Sequence, residues 1–330
     1  MKKNFNLKLL NRLIGFTKPY KFNFIFVSFS AIIISFLSIL NQYFLKIAVD
    51  EYITPKDYKG LLIVIVLMLS VLCFQVIFQF LFIYFTNLLG QKVVYDLRTK
   101  LFKTIINFKM SYYDKSSVGR LVTRTVSDME TIASIFSQGL FMIFADLILM
   151  FSVLIVMIFL SVQLSLIILI ILPFVVLATR LFQRAMKVAF NEVRNEVANL
   201  NSFVQERLSG IKEIQIFNRQ KIESENFKKI NERHKKAWLK TVWYNSIFFP
   251  IAEISISISV GLIVWYAGSN IIQLENFVSL GTIFLFIQLS QMLFRPLRQI
   301  ADKFNTLQMG MVAAKRVFEI LDSDHNISDK

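Results

Sequence analysis

The sequence is poor in the residues that build disulfides, metal sites and tight turns, with one cysteine, two histidines, five prolines and ten glycines among 330 residues. A single cysteine, Cys73, excludes an intrachain disulfide, a cysteine-rich zinc site and a redox pair. His234 and His325 lie far apart in the sequence, so no metal site is predicted. Charged residues are also scarce, at 18% against about a quarter in soluble proteins.

Long runs almost without charge account for this shortage. Four stretches carry two charges or fewer: 22–45 (none), 60–91 (none), 131–179 (Asp146 only) and 241–294 (Glu253 and Glu275 only). A membrane core about 30 Å thick is crossed by roughly 20 apolar helical residues. Each stretch is long enough to cross, which predicts an integral membrane protein and excludes a soluble one.

The two longest stretches are each about twice the length of one span, so a turn is expected inside each. Gln163, flanked by Ser161 and Ser165, marks one turn, and residues 268–275 mark the other. The predicted fold is all-α, and its membrane-spanning helices lie near 24–45, 61–85, 138–160, 164–184, 246–267 and 278–298.

Lys and Arg are distributed very unequally between the two sides of these spans. Of 37 such residues, 34 fall in four segments that share one predicted side: 1–21, 86–133, 180–244 and 295–330. Because positive residues mark the cytoplasmic side, both termini are expected there, in a multi-pass protein of the cell membrane. The net charge of +15 therefore indicates topology rather than a nucleic-acid partner.

The cytoplasmic segments are predicted to be helical. Residues 5–18 alternate apolar with basic side chains, which predicts a short amphipathic helix, either at the membrane surface or packed on protein. The two long connections lack proline, so each is expected to extend a membrane helix into the cytoplasm, reverse near Gly119 or Gly210 and return. Such hairpins favour docking of a cytosolic partner over a self-contained bundle. Apolar residues recur there at helical spacing, as in Val93, Leu97, Leu101, Ile105 and Phe108.

Residues 110–130, at the first reversal, resemble the first intracellular loop of ATP-binding-cassette (ABC) exporters. That loop has two aromatic residues and an Asp, then Gly-Arg-Leu, an Arg and an Asp. The family usually has phenylalanine where this chain has its two tyrosines. The matching residues here are Tyr112, Tyr113, Asp114, Gly119, Arg120, Leu121, Arg124 and Asp128.

Residues 199–217 are similar to the second intracellular loop of the same family, and residues 313–322 to its exit from span six toward the nucleotide-binding domain. The resemblance implies that both tips are coupling helices seated in grooves of ATPase cassettes. The residues it assigns to coupling are Tyr112, Tyr113, Asp114, Gly119, Arg120, Arg124, Gly210, Gln215 and Phe217.

Within these tips, each residue type has an expected role. Tyr112 and Tyr113 are expected as large buried anchors at the interface. Gly119 and Gly210 are expected to permit a tight reversal or a close approach. Arg120 and Arg124 are expected either to pair across the interface or to stay solvated.

A phosphate-binding loop of the form Gly-x-x-x-x-Gly-Lys-Ser/Thr is absent from the 330 residues, so this chain alone is not expected to bind nucleotide or to be an enzyme. The resemblance implies that ATP and Mg²⁺ bind a separate nucleotide-binding domain. It implies a transmembrane domain at 1–322 and the start of a linker at 323–330, with the cassette expected after Lys330 rather than on another chain. It also implies a dimer, with an identical or different second half, that is embedded in membrane lipids.

Two carboxylates inside the spans, Asp146 and Glu253, are candidates for a translocation cavity, because charge within a membrane is costly and faces water or a partner. One interpretation is an inner cavity that attracts cations. The other pairs these carboxylates with Arg180, Arg184 or Arg295, or neutralises them by protonation. Gln288, Gln291 and Arg295 recur at helical spacing on one face of span six, and the resemblance implies that this span lines the pathway.

The favoured function is the membrane half of an ATP-driven exporter that moves lipids, drugs or other hydrophobic compounds by alternating access. An ATP-independent carrier or channel is one alternative, although the broken helices and repeats typical of such proteins are not evident. A membrane interaction or sensor protein is another: the hairpin tips suit it, but the polar residues inside the spans do not require it.

Overall fold

The computed structural model describes residues 7–272 and 278–323, and within these ranges the chain is helical, without a β-strand. The all-α class predicted from the sequence is confirmed. The helices are α1 (Leu7–Gly15), α2 (Lys21–Ile47), α3 (Tyr58–Ile106), α4 (Met110–Lys115), α5 (Val118–Thr125), α6 (Ser127–Ser134), α7 (Phe141–Leu160), α8 (Val162–Ser209), α9 (Ile211–Ile216), α10 (Gln220–Ile272) and α11 (Leu280–Leu321).

Six helical segments of the described residues are long and apolar enough to cross a membrane, as predicted. Several continue far beyond a bilayer. Helix α3 has 49 residues, α8 has 48 and α10 has 53. At 1.5 Å per residue each is about 70–80 Å long, more than twice the membrane core. The six segments are Lys18–Ile53, Tyr58–Ile106, Val118–Leu160, Val162–Ser209, Gln220–Ser269 and Leu280–Leu297.

The short connections between spans are fixed by polar side chains. Asp57 begins α3, and its carboxylate accepts the amide hydrogens of Lys59 and Gly60 at 3.1 and 3.2 Å. Ser161 alone separates α7 from α8 and has an extended backbone. Of the other predicted turn, 268–275, residues 268–272 are helical, because α10 continues to Ile272. Residues 273–275 lie outside the described residues.

The chain divides into two compact units, and the first contains the described parts of 1–165 and 263–330. Its core is built on the apolar stripe of α3 that the sequence predicted, since Val93, Leu97 and Leu101 are fully buried. Helices α2, α6, α7 and α11 pack in the same unit. A Cβ on Gly310 of α11 would lie 3.0 Å from the carbonyl oxygen of Thr131 and closer still to the side chain of Ile135, so glycine permits this close helix approach.

Helix α1 is attached to the end of α11 in this first unit. Leu13 of α1 is fully buried, so the helix packs on protein. The guanidinium of Arg12 donates two hydrogen bonds of 2.6 Å to the carboxylate of Asp322 and lies 4.2 Å from the ring centre of Phe318. These hydrogen bonds hold the pKa of Asp322 below its ordinary value. We call Arg12 and Asp322 the clamp pair.

The second unit, residues 166–262, contains most of α8 and α10 together with the short helix α9. The two long helices contact each other along the hairpin. Phe182 stacks on Phe248 with ring centres 3.9 Å apart, and the ammonium of Lys240 donates to Glu192 at 2.8 Å. These contacts hold the hairpin together as it leads to its tip.

Candidate functional site

The first candidate tip is α4, which lies between the end of α3 and the start of α5. The hydroxyl of Tyr113 donates a 2.5 Å hydrogen bond to the carbonyl of Ile105 in the last turn of α3. The ring of Tyr112 packs on Phe108, with centres 4.6 Å apart. Both tyrosines are half-buried against the core of their own unit. They therefore fix the tip to its own arm.

Other residues of the first tip face outward. Met110 is 76% exposed and Asp114 is exposed. Arg120 is exposed and donates to the hydroxyl of Ser116 at 3.1 Å. Gly119 lies inside α5, and a Cβ there would meet only one oxygen, at 3.7 Å. The expectation that Gly119 permits a tight reversal is therefore wrong within this chain, because Gly119 is helical and a side chain would fit there.

Arg124 belongs to a cluster of three charged side chains between α5, α6 and α11. Its guanidinium lies 2.7 Å from the carboxylate of Asp128, which Arg316 of α11 approaches at 3.4 Å. The side chain of Asp128 is only 8% exposed and that of Arg124 only 19%. Arg124 is thus paired within its own chain, and it is not the freely solvated side chain of the second interpretation.

The second tip is α9, at the end of the α8–α10 hairpin. Gly210 has a φ of −97°, and a Cβ there would make ordinary contacts of 3.4 and 3.5 Å. The turn at Gly210 therefore does not require a glycine for its contacts within this chain, and a close approach of Gly210 to a partner stays a prediction. The left-handed backbone is instead at Asn218, with a φ of 53°, a conformation that asparagine tolerates better than most residues. Gln215 and Phe217, both predicted for coupling, are exposed.

Large apolar side chains surround the second tip and are exposed. Ile216 is 76% exposed and Phe217 is 71% exposed. Behind them, the guanidinium of Arg207 on α8 lies 2.7 Å from the carboxylate of Glu223 on α10, so an ion pair joins the two helices of the hairpin. Of these exposed apolar residues, Leu208, Ile211 and Ile216 were not predicted from the sequence, although apolar residues in a charged cytoplasmic segment were a usable signal. We define the tip surface as Leu208, Ile211, Ile216 and Phe217.

Asp146 is paired inside the first unit. Its carboxylate lies 2.5 Å from the ammonium of Lys303 on α11, and both side chains are less than one-fifth exposed. Pairing was one of the two interpretations of this carboxylate, but the proposed arginine partners were wrong. The partner is a lysine 157 residues away in the sequence.

The remaining candidates for a translocation pathway lie on two different units. Glu253 is exposed on α10 of the second unit. On α11, Gln288 is half-buried, and Gln291 and Arg295 are exposed, whereas Leu289 on another side of the helix is fully buried. Helix α11 therefore presents a polar face away from its own core, at the spacing that the sequence indicated. We define the α11 polar face as Gln288, Gln291 and Arg295.

No group of three or more His, Cys, Asp or Glu side chains that could hold a metal is found among the described residues.

Comparison with known proteins decides the family. The family model of the ABC transporter transmembrane region matches residues 24–297, which includes five of the predicted spans and nearly all of the sixth. The chain belongs to this ABC transporter family. It is accordingly an integral, multi-pass membrane protein, and the resemblance found in the tips extends over the spans.

Curated relatives match over nearly the whole chain. The uncharacterized ABC transporter ATP-binding protein YknV of Bacillus subtilis is 26% identical over 100% of this chain and 55% of its own length. The putative ABC transporter ATP-binding protein exp8 of Streptococcus pneumoniae is 28% identical over 95% and 54%. The ATP-dependent lipid A-core flippase of Desulfotalea psychrophila is 24% identical over 98% and 56%. The chain thus spans about half the length of these relatives.

Proposed function

We propose that the chain is the membrane-spanning half of an ATP-driven exporter that moves hydrophobic or amphipathic compounds by alternating access. The observation that supports this most directly is the exposed tip surface at the end of a helical hairpin whose helices are far longer than a membrane span. An apolar surface on a charged segment outside the membrane is a typical protein interaction site. A cytosolic nucleotide-binding domain is the partner that we propose for it.

ATP and Mg²⁺ are assigned to that partner, because this sequence has no phosphate-binding loop whose backbone amides would hold the nucleotide phosphates. The transmembrane domain is proposed to comprise residues 1–322, and residues 323–330 to begin the linker. The charge asymmetry supports placement in the cell membrane with both termini and both tips in the cytoplasm.

The proposed translocation pathway uses the α11 polar face rather than Asp146. Lys303 neutralises the carboxylate of Asp146, so that this residue holds α7 against α11. Glutamine amides and a guanidinium on a helix inside the membrane are suited to the polar headgroup of an amphipathic compound. A relative named as a lipid A-core flippase supports lipids as a substrate class. A second transmembrane half, identical or different, would complete the pathway.

The tip surface is tested by Ile216→Ser combined with Phe217→Ser in the complete transporter reconstituted in liposomes. Both side chains are more than 70% exposed, so the folded hairpin should persist. Truncating the hot-spot residues of an interface costs about 2 kcal/mol or more, so substrate-stimulated ATP hydrolysis and transport should fall at least about tenfold.

The matched control is Val188→Ser, which removes an exposed apolar side chain from α8 away from the tip. It should leave both activities unchanged. Full substrate-stimulated ATP hydrolysis and transport in the Ile216/Phe217 variant would contradict the docking role.

A further inference from the structure

An open groove of about 330 Å³ lies between α1 and the first turns of α2. One part of its lining is polar and basic, with Lys18, Lys21 and the amide of Asn11. The other part is apolar, with Ile14, Phe24 and Ile25. Among the residues that the structure describes, no acidic side chain lines it.

The two lysines of the groove differ from the other cations nearby. The guanidinium of Arg12 is paired with Asp322, and the ammonium of Lys92 lies 5.3 Å from the ring centre of Tyr20. Within the described residues, by contrast, no ion pair or aromatic contact involves Lys18 or Lys21, and both side chains are exposed. Two cationic groups therefore remain available to an anion at one place.

The position of the groove relative to the membrane follows from the sequence. The uncharged stretch 22–45 begins directly after Lys21, so the lysines lie at the boundary and Ile25 lies inside the apolar layer. Ile25 is 65% exposed and the neighbouring Phe22 is 76% exposed, at the start of a helix that is apolar enough to cross a membrane. A bound molecule is thus offered positive charge at the membrane surface and apolar contact below it.

We infer that this groove binds an anionic phospholipid, with the phosphate of its headgroup between Lys18 and Lys21 and an acyl chain along Ile25. The inference concerns a resident lipid, distinct from the transported compound, and it does not depend on the proposed export activity. The predicted cytoplasmic side agrees with it, because that leaflet carries the anionic lipids.

A lipid in this groove would also bear on α11. The groove is lined by Asn11 and Ile14 of α1. Between them in the sequence, Arg12 binds Asp322 as the clamp pair, and Leu13 is buried in the core. A bound lipid therefore stabilises the arrangement of α1 that places Arg12 on Asp322.

The test is native mass spectrometry of the purified protein in detergent, titrated with phosphatidylglycerol or with phosphatidylcholine of the same acyl chains. Each lysine near a membrane surface contributes about 1 kcal/mol to anionic lipid binding. Lys18→Gln with Lys21→Gln should therefore weaken phosphatidylglycerol binding about 30-fold, which corresponds to about 2 kcal/mol. Phosphatidylcholine binding should not change.

Two further variants show whether a loss of binding comes from the groove itself, from the change in net charge or from misfolding. Lys18→Arg with Lys21→Arg keeps both cations and should keep phosphatidylglycerol binding within about threefold. Lys228→Gln with Lys229→Gln removes the same charge from exposed positions on the α10 arm and should have no effect. Equal losses in both glutamine variants would overturn the inference.

Inorganic phosphate and glycerol 3-phosphate serve as competitors to separate a lipid from a free phosphate. Neither should displace phosphatidylglycerol at millimolar concentration, because they lack the acyl chain that contacts Ile25. Displacement by either, or equal binding of phosphatidylcholine, would overturn the assignment of a lipid.

Discussion

The charged cluster between the first tip and α11 provides a direct test of how the arm is held. Asp128 lies between two guanidinium groups, Arg124 at 2.7 Å and Arg316 at 3.4 Å. Replacing Asp128 with Asn keeps the shape of the side chain but removes the only negative charge in this cluster. The two cations then face each other without a counterion.

The expected loss of stability follows from the exposure of each partner. Breaking a buried ion pair costs about 3–5 kcal/mol, whereas an exposed pair contributes about 0.2–1 kcal/mol. The side chain of Asp128 is 8% exposed and that of Arg124 is 19% exposed, but Arg316, at 45%, can turn toward water. We therefore expect Asp128→Asn to destabilise the protein by about 2–3 kcal/mol.

The assay is the midpoint of thermal unfolding in detergent at a fixed heating rate, because membrane proteins often unfold irreversibly. At about 2 °C per kcal/mol for a chain of this size, the midpoint should fall by roughly 4–6 °C. Glu130→Gln is the matched control, since Glu130 pairs with Arg98 at 2.8 Å with both side chains at least 40% exposed. It should lower the midpoint by less than about 2 °C.

A double variant identifies the interaction itself. Adding Arg124→Met to Asp128→Asn removes one of the two unpaired cations, so the double variant should melt above the Asp128 single variant. If Asp128→Asn melts within 1 °C of wild type, or if its effect and that of Arg124→Met alone simply add in the double variant, the ion pairs of Asp128 do not stabilise the fold as argued.

Three other predictions concern the ends of the fold. The lowered pKa of Asp322 means that its clamp contribution is complete above the ordinary value of 3.8 and is lost as pH falls through the lower folded value. The protection factors of the α1 amides in hydrogen exchange, which are corrected for the intrinsic pH dependence of the rate, should therefore be equal at pH 7 and 5 and lower near pH 3, and in Asp322→Asn they should have the lower value at every pH. Asn218→Gly should keep the melting midpoint, whereas Asn218→Val should cost about 1–2 kcal/mol at φ 53°. With Cys73 replaced by alanine, an impermeant maleimide should label a cysteine at Lys56 in intact cells, and one at Ser111 only after permeabilisation; labelling of Ser111 from outside would overturn the topology.

Local patterns predicted most of the fold. Uncharged stretches indicated the spans because the bilayer imposes their length, and the six apolar helices confirm the number. The stripe through Val93, Leu97 and Leu101 predicted the buried side of the α3 arm, because helical periodicity and burial are linked by geometry alone.

Contacts between distant residues were beyond sequence reasoning. Asp146 had arginines at plausible depth, but the axial position and rotation of α11 bring Lys303 to it instead. Glycine suggested the reversals because it tolerates backbone conformations that other residues avoid. Helices also contain glycine, however, and Gly119 lies inside α5. At the second tip the residue with the left-handed backbone is Asn218. Its sequence neighbours give no reason to predict this conformation for Asn218 rather than for the nearby Gly210.

The three attachments of α11 explain why its cytoplasmic part is a suitable point for transmitting movement. Gly310 contacts α6, Arg316 contacts Asp128, and Asp322, directly after the helix, contacts Arg12 of α1. These positions are six residues apart and together cover about 18 Å of the chain. The first two attach α11 to the same helix, α6, and the third attaches it to α1. A movement of this part of α11 would therefore disturb its contacts with both helices, so a force from the proposed cassette on α11 would reach α6 and α1 together.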